Sequence, residues 1–136
     1  MPREVGERRI LIVEDESIVA DTLRQILSSN GYDTRVAYSA ETALDGLGQW
    51  SPGLAILDVM LPKMNGIDLA MALKERFPDC RILLISGQPS VEELLLEARR
   101  KGHDFEILAK PVHPIEILDT IAALFSSNGR QHCNQD

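Results

Sequence analysis

Four places along this sequence carry side chains that could perform chemistry, and each follows directly on an apolar stretch. They bring together carboxylates, a hydroxyl group and an ammonium group: Glu14 and Asp15, Asp58, Ser86 with Gly87, and Lys110 with Pro111. Clustered carboxylates must be neutralised by protonation or by a cation. An all-oxygen set suits Mg²⁺, which keeps several waters and leaves room for a phosphate oxygen.

The turn after the first apolar stretch is the most informative, because a nucleotide site would place a glycine-rich loop there. This chain instead has the acidic run Glu14-Asp15-Glu16-Ser17, whose carboxylates repel anions. Taken singly, each candidate also has an ordinary structural interpretation. The acidic run can begin a helix, Asp58 and Ser86 can form turns, and a lysine before proline can be solvated. If all the candidates meet at one edge of a sheet, a shared functional site explains them better than these separate structural roles do.

Alternating segments of the sequence predict the elements that position these residues. Five short segments are predicted to be strands: 9–13, 33–37, 53–57, 81–85 and 105–109. The first, third and fourth are apolar at successive positions, which is typical of strands buried on both faces of a parallel sheet. The second and fifth mix polar and apolar residues, which favours the sheet edges. Helical patterns separate and follow the strands: 17–29, 40–48, 66–77, 91–101 and 114–125.

Strict alternation of strands and helices predicts parallel strands joined by right-handed crossover connections. The predicted fold class is therefore α/β: a flavodoxin-like, doubly wound, five-stranded parallel sheet of the (βα)5 type, with strand order 2-1-3-4-5. In such a sheet, ligands bind beyond the carboxyl ends of the strands, at the switch point between strands 1 and 3. All the candidate residues fall at that edge.

The chain has 136 residues, of which 44% are hydrophobic and 26% charged, and this composition is typical of one globular domain. We place the domain at 8–126, with polar, flexible termini at 1–7 and 127–136. A formal net charge of −7 without a basic stripe argues against direct nucleic-acid binding. No apolar run could span a membrane and no signal-peptide core begins the chain, so a cytoplasmic protein is expected. Cys80 and Cys133 are predicted to be free thiols.

Together, these motifs resemble one known family. The segments that carry the resemblance are Ile-Leu-Ile-Val-Glu14-Asp15-Glu16, then Asp58-Val-Met-Leu-Pro-Lys-Met-Asn-Gly66, then Ser86-Gly87, then Lys110-Pro111. Their order and spacing are similar to those of the receiver domain of two-component response regulators, over about residues 8–126. The segment from Asp58 to Gly66 is the most specific of them.

The resemblance implies that Asp58 is the phosphoacceptor, which takes a phosphoryl group from the phosphohistidine of a sensor histidine kinase or phosphotransfer protein. It also implies a bound Mg²⁺, for which Mn²⁺ could substitute. Asp15 matches the metal-binding acid of the family. Glu14 lies where the family usually has a second acid, often Asp, and a glutamate there is a common variant that can bind through water.

Other positions carry the rest of the implied site. The backbone carbonyl oxygen of Met60 would be one ligand of the metal. The backbone N–H groups of Val59, Met60 and Gly87 would complete a cradle for the phosphoryl group. Lys110 would pair with one phosphoryl oxygen, and Ser86 would donate a hydrogen bond to another. The resemblance implies a phosphoacceptor with modest self-catalysis rather than a turnover enzyme. Phosphorylation would switch a surface of helix 4, strand 5 and helix 5 toward a downstream protein.

The sequence departs from the family at Ile107, where the family usually has Tyr, Phe or His as a switch partner for Ser86; Phe105 lies two residues earlier. A single-domain receiver and a fragment of a larger regulator or hybrid kinase would share this pattern. One alternative is a receiver-like interaction module that never carries phosphate. Another is a Mg²⁺-dependent phosphatase of the haloacid-dehalogenase type, which needs a second acid where this chain has Met60.

Overall fold

Strands and helices alternate strictly in the computed structural model of this protein, which describes residues 8–47, 50–87 and 91–126. Within these residues the strands are β1 (Arg9–Val13), β2 (Asp33–Ala37), β3 (Leu54–Asp58), β4 (Arg81–Ser86) and β5 (Glu106–Ala109). The helices are α1 (Ser17–Ser29), α2 (Ala40–Asp45), α3 (Gly66–Arg76), α4 (Glu92–Arg100) and α5 (Pro114–Ser126).

The strands form one parallel sheet in the order β2-β1-β3-β4-β5, which confirms the predicted fold class. The register places Val13 opposite Leu57 at the ends of β1 and β3. It also places Ser86 opposite Ala109 at the ends of β4 and β5. The carboxyl ends of these strands therefore meet at one edge of the sheet.

A hydrophobic layer covers each face of the sheet. Buried residues of α1 and α5, such as Leu27 and Ile121, form one layer. Buried residues of α2, α3 and α4, such as Ala43, Leu73 and Ala98, form the other. Beyond their first residues, β1, β3 and β4 are buried throughout, whereas β2 and β5 have exposed positions. The predicted central and edge strands are thus confirmed.

Strands β3 and β4 each end one residue later than the apolar pattern predicts, at Asp58 and Ser86. The extra residues belong to the strands because pairing continues past them. The Val59 N–H group donates to the Ile85 carbonyl oxygen at 3.0 Å. The Lys110 N–H group donates to the Ser86 carbonyl oxygen at 2.9 Å. The sheet itself therefore fixes the backbone of these two candidate site residues.

Helix α2 ends at Asp45, three residues before the predicted end. The Gly46 N–H group closes the last turn by donating to the carbonyl oxygens of Thr42 and Ala43. Glycine at this position ends the helix, and the predicted end at Gly48 lies outside the described residues. All other predicted boundaries agree with the structure to within one residue.

Cys80 lies at the start of β4 as a buried free thiol, and burial raises the pKa of this thiol to about 12. Cys133 and the predicted flexible termini, 1–7 and 127–136, lie outside the described residues. Among the described helices, none has the length and apolar character needed to cross a membrane.

Gly66 begins α3 at the point where this helix touches the end of β3. Its N–H group donates to the Val59 carbonyl oxygen at 2.8 Å. A Cβ atom added to Gly66 would overlap the carbonyl oxygen of Asp58 and lie 2.8 Å from its carbonyl carbon. Only glycine therefore allows α3 to start directly behind Asp58.

We expect Gly66→Ala to destabilise the fold by about 1–3 kcal/mol or more, because the backbone of β3 cannot move to make room for the new methyl group. The matched control is Gly46→Ala, because its added Cβ would lie 3.5 Å from its nearest neighbour, the Thr42 carbonyl oxygen. This control should change stability by less than about 0.5 kcal/mol. Urea unfolding followed by the fluorescence of buried Trp50 measures both. If Gly66→Ala and Gly46→Ala had the same free energy of unfolding, the close contact of Gly66 with the Asp58 backbone would be contradicted.

Candidate functional site

Lys110 reaches from the end of β5 into a group of carboxylates at the edge of the sheet. Its Nζ atom lies 3.0 Å from Glu14 Oε1 and donates a hydrogen bond to Asp58 Oδ2 at 3.2 Å. Glu16 Oε1 lies further away, at 3.9 Å. One ammonium group thus joins the ends of β1, β3 and β5.

The two carboxylates nearest Lys110 are buried. Glu14 has no exposed surface and Asp58 is 4% exposed, whereas the Lys110 side chain is 23% exposed. Burying a carboxylate is costly unless a cation or hydrogen-bond donor accompanies it. Lys110 meets this need for both acids, and its side chain is partly exposed to solvent.

Each buried carboxylate also binds its own loop. Glu14 Oε2 accepts a hydrogen bond from the Glu16 N–H group, and Asp58 Oδ1 accepts one from the Met60 N–H group, both at 3.2 Å. One oxygen of each acid therefore holds the backbone two residues further along. The other oxygen faces Lys110.

The charges in this site strongly affect one another. Burial raises the pKa of Glu14 to about 7, and the Asp58 charge adds to this rise, although the hydrogen bond from Lys110 opposes it. Burial alone would lower the pKa of Lys110, but the Glu14 and Asp58 carboxylates outweigh this effect and raise that pKa. The site therefore favours the charged form of Lys110, whereas burial opposes the charged form of Glu14.

The acids can hold a divalent cation. Glu14, Asp15 and Asp58 each offer a carboxylate oxygen within 4.8 Å of the others. Asp15 is exposed, so it offers an oxygen from the solvent side of the group. Glu14 Oε1 is fully buried, and the Lys110 ammonium group lies 3.0 Å from it. Such an oxygen-only set of acids fits Mg²⁺.

Ser86 and Gly87 lie beside Lys110, as the sequence predicts for the same edge. Ser86 is 4% exposed, and its carbonyl oxygen accepts the Lys110 N–H group. A Cβ added to Gly87 would lie 3.8 Å from Lys110 Cδ, so the lysine stem lies close to this glycine. The structure thus brings together the predicted acids, the ammonium group and the backbone of Ser86.

Two of the backbone N–H groups predicted to form the cradle donate hydrogen bonds within the protein. The Met60 N–H group is directed at the Asp58 carboxylate, whereas the Val59 N–H group donates to the Ile85 carbonyl oxygen in the sheet. The roles of Val59, Met60 and Gly87 toward a phosphoryl group stay predictions.

Sequence reasoning missed four features of the site. The direct pairing of Lys110 with Glu14, and the place of Glu16 near it, depend on side-chain reach across strands. The Lys110–Pro111 peptide is cis, and Lys63, in the loop after β3, has a φ of 73°. Proline marks the first of these backbone positions in the sequence, but no residue pattern marks the second.

Comparisons with known proteins agree with this geometry. A family model described as the response regulator receiver domain matches residues 10–122. The chain belongs to the response-regulator receiver family. It is 34% identical over 116 residues to the response regulator MprA of Mycobacterium avium, covering 85% of this chain and 50% of that protein. The chain thus spans about half the length of the curated relatives it matches.

Solved receiver structures have the same fold. A CheY-like receiver domain protein of Methanospirillum hungatei is 27% identical, with a TM-score of 0.81, over 91% of this chain and 98% of that one. The response regulator TrrA of Thermotoga maritima, in complex with Mg²⁺ and BeF, is 25% identical, with a TM-score of 0.74. That match covers 86% of this chain and 98% of TrrA.

We expect the metal-free protein to lose stability as the pH rises from 4.5 to about 7. The pKa of Glu14 is higher in the folded protein than its usual value of 4.5, so the folded state binds more protons in this range and each rise in pH favours unfolding. Glu14→Gln should make the free energy of unfolding less dependent on pH, because it removes a change on the order of 1–3 kcal/mol over this range. Urea unfolding in a chelator at pH 5 and pH 8 measures this difference.

The control for this experiment is Glu106→Gln, because Glu106 is exposed on β5. It should keep the pH dependence of the original protein. If Glu14→Gln also keeps it, Glu14 ionises as an ordinary surface carboxylate does, and the electrostatic account of the site is wrong.

Proposed function

We propose that this receiver domain accepts a phosphoryl group on the Asp58 carboxylate from a phosphohistidine, with Mg²⁺ bound beside it. The observation that carries the proposal is the placing of the Lys110 ammonium group between Asp58 and Glu14, with Asp15 in the same acidic group. A carboxylate nucleophile, a set of metal ligands and a mobile positive charge are the parts that phosphoryl transfer requires.

In the proposed reaction, one oxygen of Asp58 attacks phosphorus while the bond from phosphorus to the imidazole nitrogen breaks. The electron pair of that bond leaves with the imidazole, and the product is an aspartyl phosphate. The sheet and the Met60 N–H group hold the carboxylate in place, so little motion is needed before in-line attack. Lys110 starts at Asp58 Oδ2 and follows the negative charge onto a phosphoryl oxygen.

Asp15 and Asp58 would hold the metal, with Glu14 directly or through water and the Met60 carbonyl group completing the set. When bound, Mg²⁺ or Mn²⁺ would reduce the repulsion between the acids and the anionic donor. The oxygen-only donor set, with carboxylate oxygens within 4.8 Å of one another, supports this assignment.

Phosphorylation would add roughly 1.5–2 negative charges at a buried edge of the sheet. The hydroxyl group of Ser86, the last residue of β4, would donate to a phosphoryl oxygen, and its movement would carry the β4–α4 connection with it. We propose that this movement switches the surface of α4, β5 and α5 toward a downstream protein. The chain would act as a phosphoacceptor rather than as a turnover enzyme.

The alternatives fit the site less well. A haloacid-dehalogenase-type phosphatase needs a second acid two residues after its nucleophile, where this chain has the 53% exposed side chain of Met60. A receiver-like module that never carries phosphate has no need for the acceptor, the acids and the lysine to be kept together. Asp58, Asp15 and Lys110 are all present at one sheet edge, which favours the phosphorylated receiver.

Exposed apolar side chains near the site support a protein donor. Ile18 in the first turn of α1 is 80% exposed, Ile115 in the first turn of α5 is 74% exposed, and Met60 lies between them in chain order. Each of the three lies within six residues after the end of a strand that ends at the site. Large apolar side chains at such positions are typical of protein contacts. We propose that a sensor histidine kinase or phosphotransfer protein docks here.

Acetyl phosphate with Mg²⁺ should add one phosphoryl group to the intact protein, as read by mass spectrometry. Asp58→Asn should abolish the gain, because an amide cannot form the acyl phosphate. A chelator should abolish it as well, because the charge repulsion at the acids is then uncompensated. A folded protein that gains no mass with excess Mg²⁺ would instead be a phosphate-free interaction module.

Ile18→Ala and Ile115→Ala should slow phosphoryl transfer from an autophosphorylated histidine kinase by about 10-fold or more, because truncated contact residues at a docking centre cost about 2 kcal/mol. Transfer from acetyl phosphate should be unchanged, because the small donor needs no docking surface. Leu96→Ala, at an exposed position of α4, is the control. Equal slowing with both donors would show damage to the chemistry instead, and no slowing would place docking elsewhere.

A further inference from the structure

The ammonium group of Lys110 occupies the same carboxylates that could hold a cation. Its Nζ atom lies 3.0 Å from Glu14 Oε1 and 3.2 Å from Asp58 Oδ2. Glu14 and Asp58 are two of the three acids whose oxygens lie within 4.8 Å of one another. A divalent cation on these acids and an ammonium group beside them would repel each other strongly at this buried edge. Lys110 must therefore withdraw from at least one of the two acids when a cation binds.

Glu16 offers this ammonium group a third carboxylate on the solvent side. Glu16 Oε1 lies 3.9 Å from Lys110 Nζ, and the Glu16 side chain is 67% exposed, whereas Glu14 and Asp58 are buried. Glu16 also lies outside the group of three acids that could hold a cation. An ammonium group paired with Glu16 would therefore keep an opposite charge beside it without sharing oxygens with the cation.

The backbone of Glu16 is fixed, and its side chain is not used by the helix that it begins. Its N–H group donates to Glu14 Oε2 at 3.2 Å, and its carbonyl oxygen accepts the Ala20 N–H group at 3.0 Å. Glu16 is the N-cap residue of α1, a position whose side chain ordinarily binds an N–H group of the first helical turn. In the described part of the chain it makes no such bond. The carboxylate lies near Lys110 instead.

Lys110 can change partners by moving the end of its side chain alone. Its N–H group donates to the Ser86 carbonyl oxygen at 2.9 Å, which holds its backbone to β4. A Cβ added to Gly87 would lie 3.8 Å from Lys110 Cδ and 3.9 Å from its Cβ, so the stem runs along this glycine. Nζ lies at the end of the stem, within reach of both Glu14 and Glu16. The exchange therefore needs no movement of a strand.

We propose that Glu16 is the positioning residue that receives the Lys110 ammonium group when a divalent cation is held by Glu14, Asp15 and Asp58. Lys110 gives up its contact with Glu14 Oε1 and pairs with the Glu16 carboxylate. Its charge thus stays at the edge of the sheet, where a phosphoryl oxygen would need it. Glu16 acts through Lys110 and is not itself a ligand of the metal. The proposal rests on the proposed function for the bound metal alone.

A double-mutant cycle in metal affinity tests this exchange of partners. The dissociation constant of Mn²⁺ is measured on the full chain by electron paramagnetic resonance of the unbound ion. Lys110→Met should tighten binding by about 10-fold or more, because no ammonium group then shares the acids. Glu16→Gln should weaken binding about 3- to 5-fold in the original protein, the contribution of one exposed ion pair, but less than about 2-fold in the Lys110→Met background.

The matched control is Glu41→Gln, which removes an exposed carboxylate from the first turn of α2. It changes the net charge as Glu16→Gln does, and it should change the Mn²⁺ affinity by less than about 2-fold in either background. If Glu16→Gln weakens binding equally with and without Lys110, Glu16 acts only through its charge on the cation, and the proposal is wrong. No effect of Glu16→Gln in the original protein would overturn it as well.

NMR of the Lys110 ammonium group gives a second measurement, which stays decisive if Lys110→Met fails to fold. With saturating Mg²⁺, its protons should exchange with water about 3-fold faster or more in Glu16→Gln than in the original protein, because their partner is lost. Equal exchange rates would contradict the proposal. An original protein that binds neither Mn²⁺ nor Mg²⁺ refutes the metal part of the proposed function together with this role of Glu16. Binding without coupling between Glu16 and Lys110 refutes the role of Glu16 alone.

Discussion

The charge of one ammonium group, held between two buried carboxylates, is the constraint on which the rest of the site depends. Glu14 and Asp58 end neighbouring strands at an edge where water cannot solvate them well, and Lys110 supplies the compensating charge from the next-but-one strand. Removing Lys110 would leave two buried carboxylates without their cation, at a cost of about 3–5 kcal/mol. The sheet order matters for function because it brings these three strand ends together.

The same burial makes the edge responsive to added charge. Desolvation raises the pKa of Glu14 to about 7, although Lys110 lies 3.0 Å from its Oε1 atom. Glu14, Asp15 and Asp58 could therefore hold a cation, and the Lys110 ammonium group lies at the same edge. Gly66 contributes by letting α3 start against the Asp58 backbone, so the backbone of this residue is held at a fixed point.

The edge around Asp58 and the C-terminal end of α4 are held by different kinds of contact. Around Asp58, hydrogen bonds and ion pairs join the strand ends and their loops. At its C-terminal end, α4 has the buried residue Ala98 and a hydrogen-bonded stop at Gly102. In the connection that follows, the ring of His103 stacks on the ring of Phe105, which packs on the core.

The sequence by itself determined the alternation of strands and helices, the central and edge strands, and the acids, hydroxyl group and lysine at one edge, because apolar periodicity and turn residues are local properties. The family's motif also follows from residue order alone. Tertiary structure decided the rest. The end of β3 at Asp58 depends on pairing with β4, the contact of Lys110 with Glu14 depends on side-chain reach across strands, and the stack of His103 on Phe105 depends on where α4 stops. Each of these contacts joins groups that different elements position, so a local sequence pattern cannot predict the distance between them.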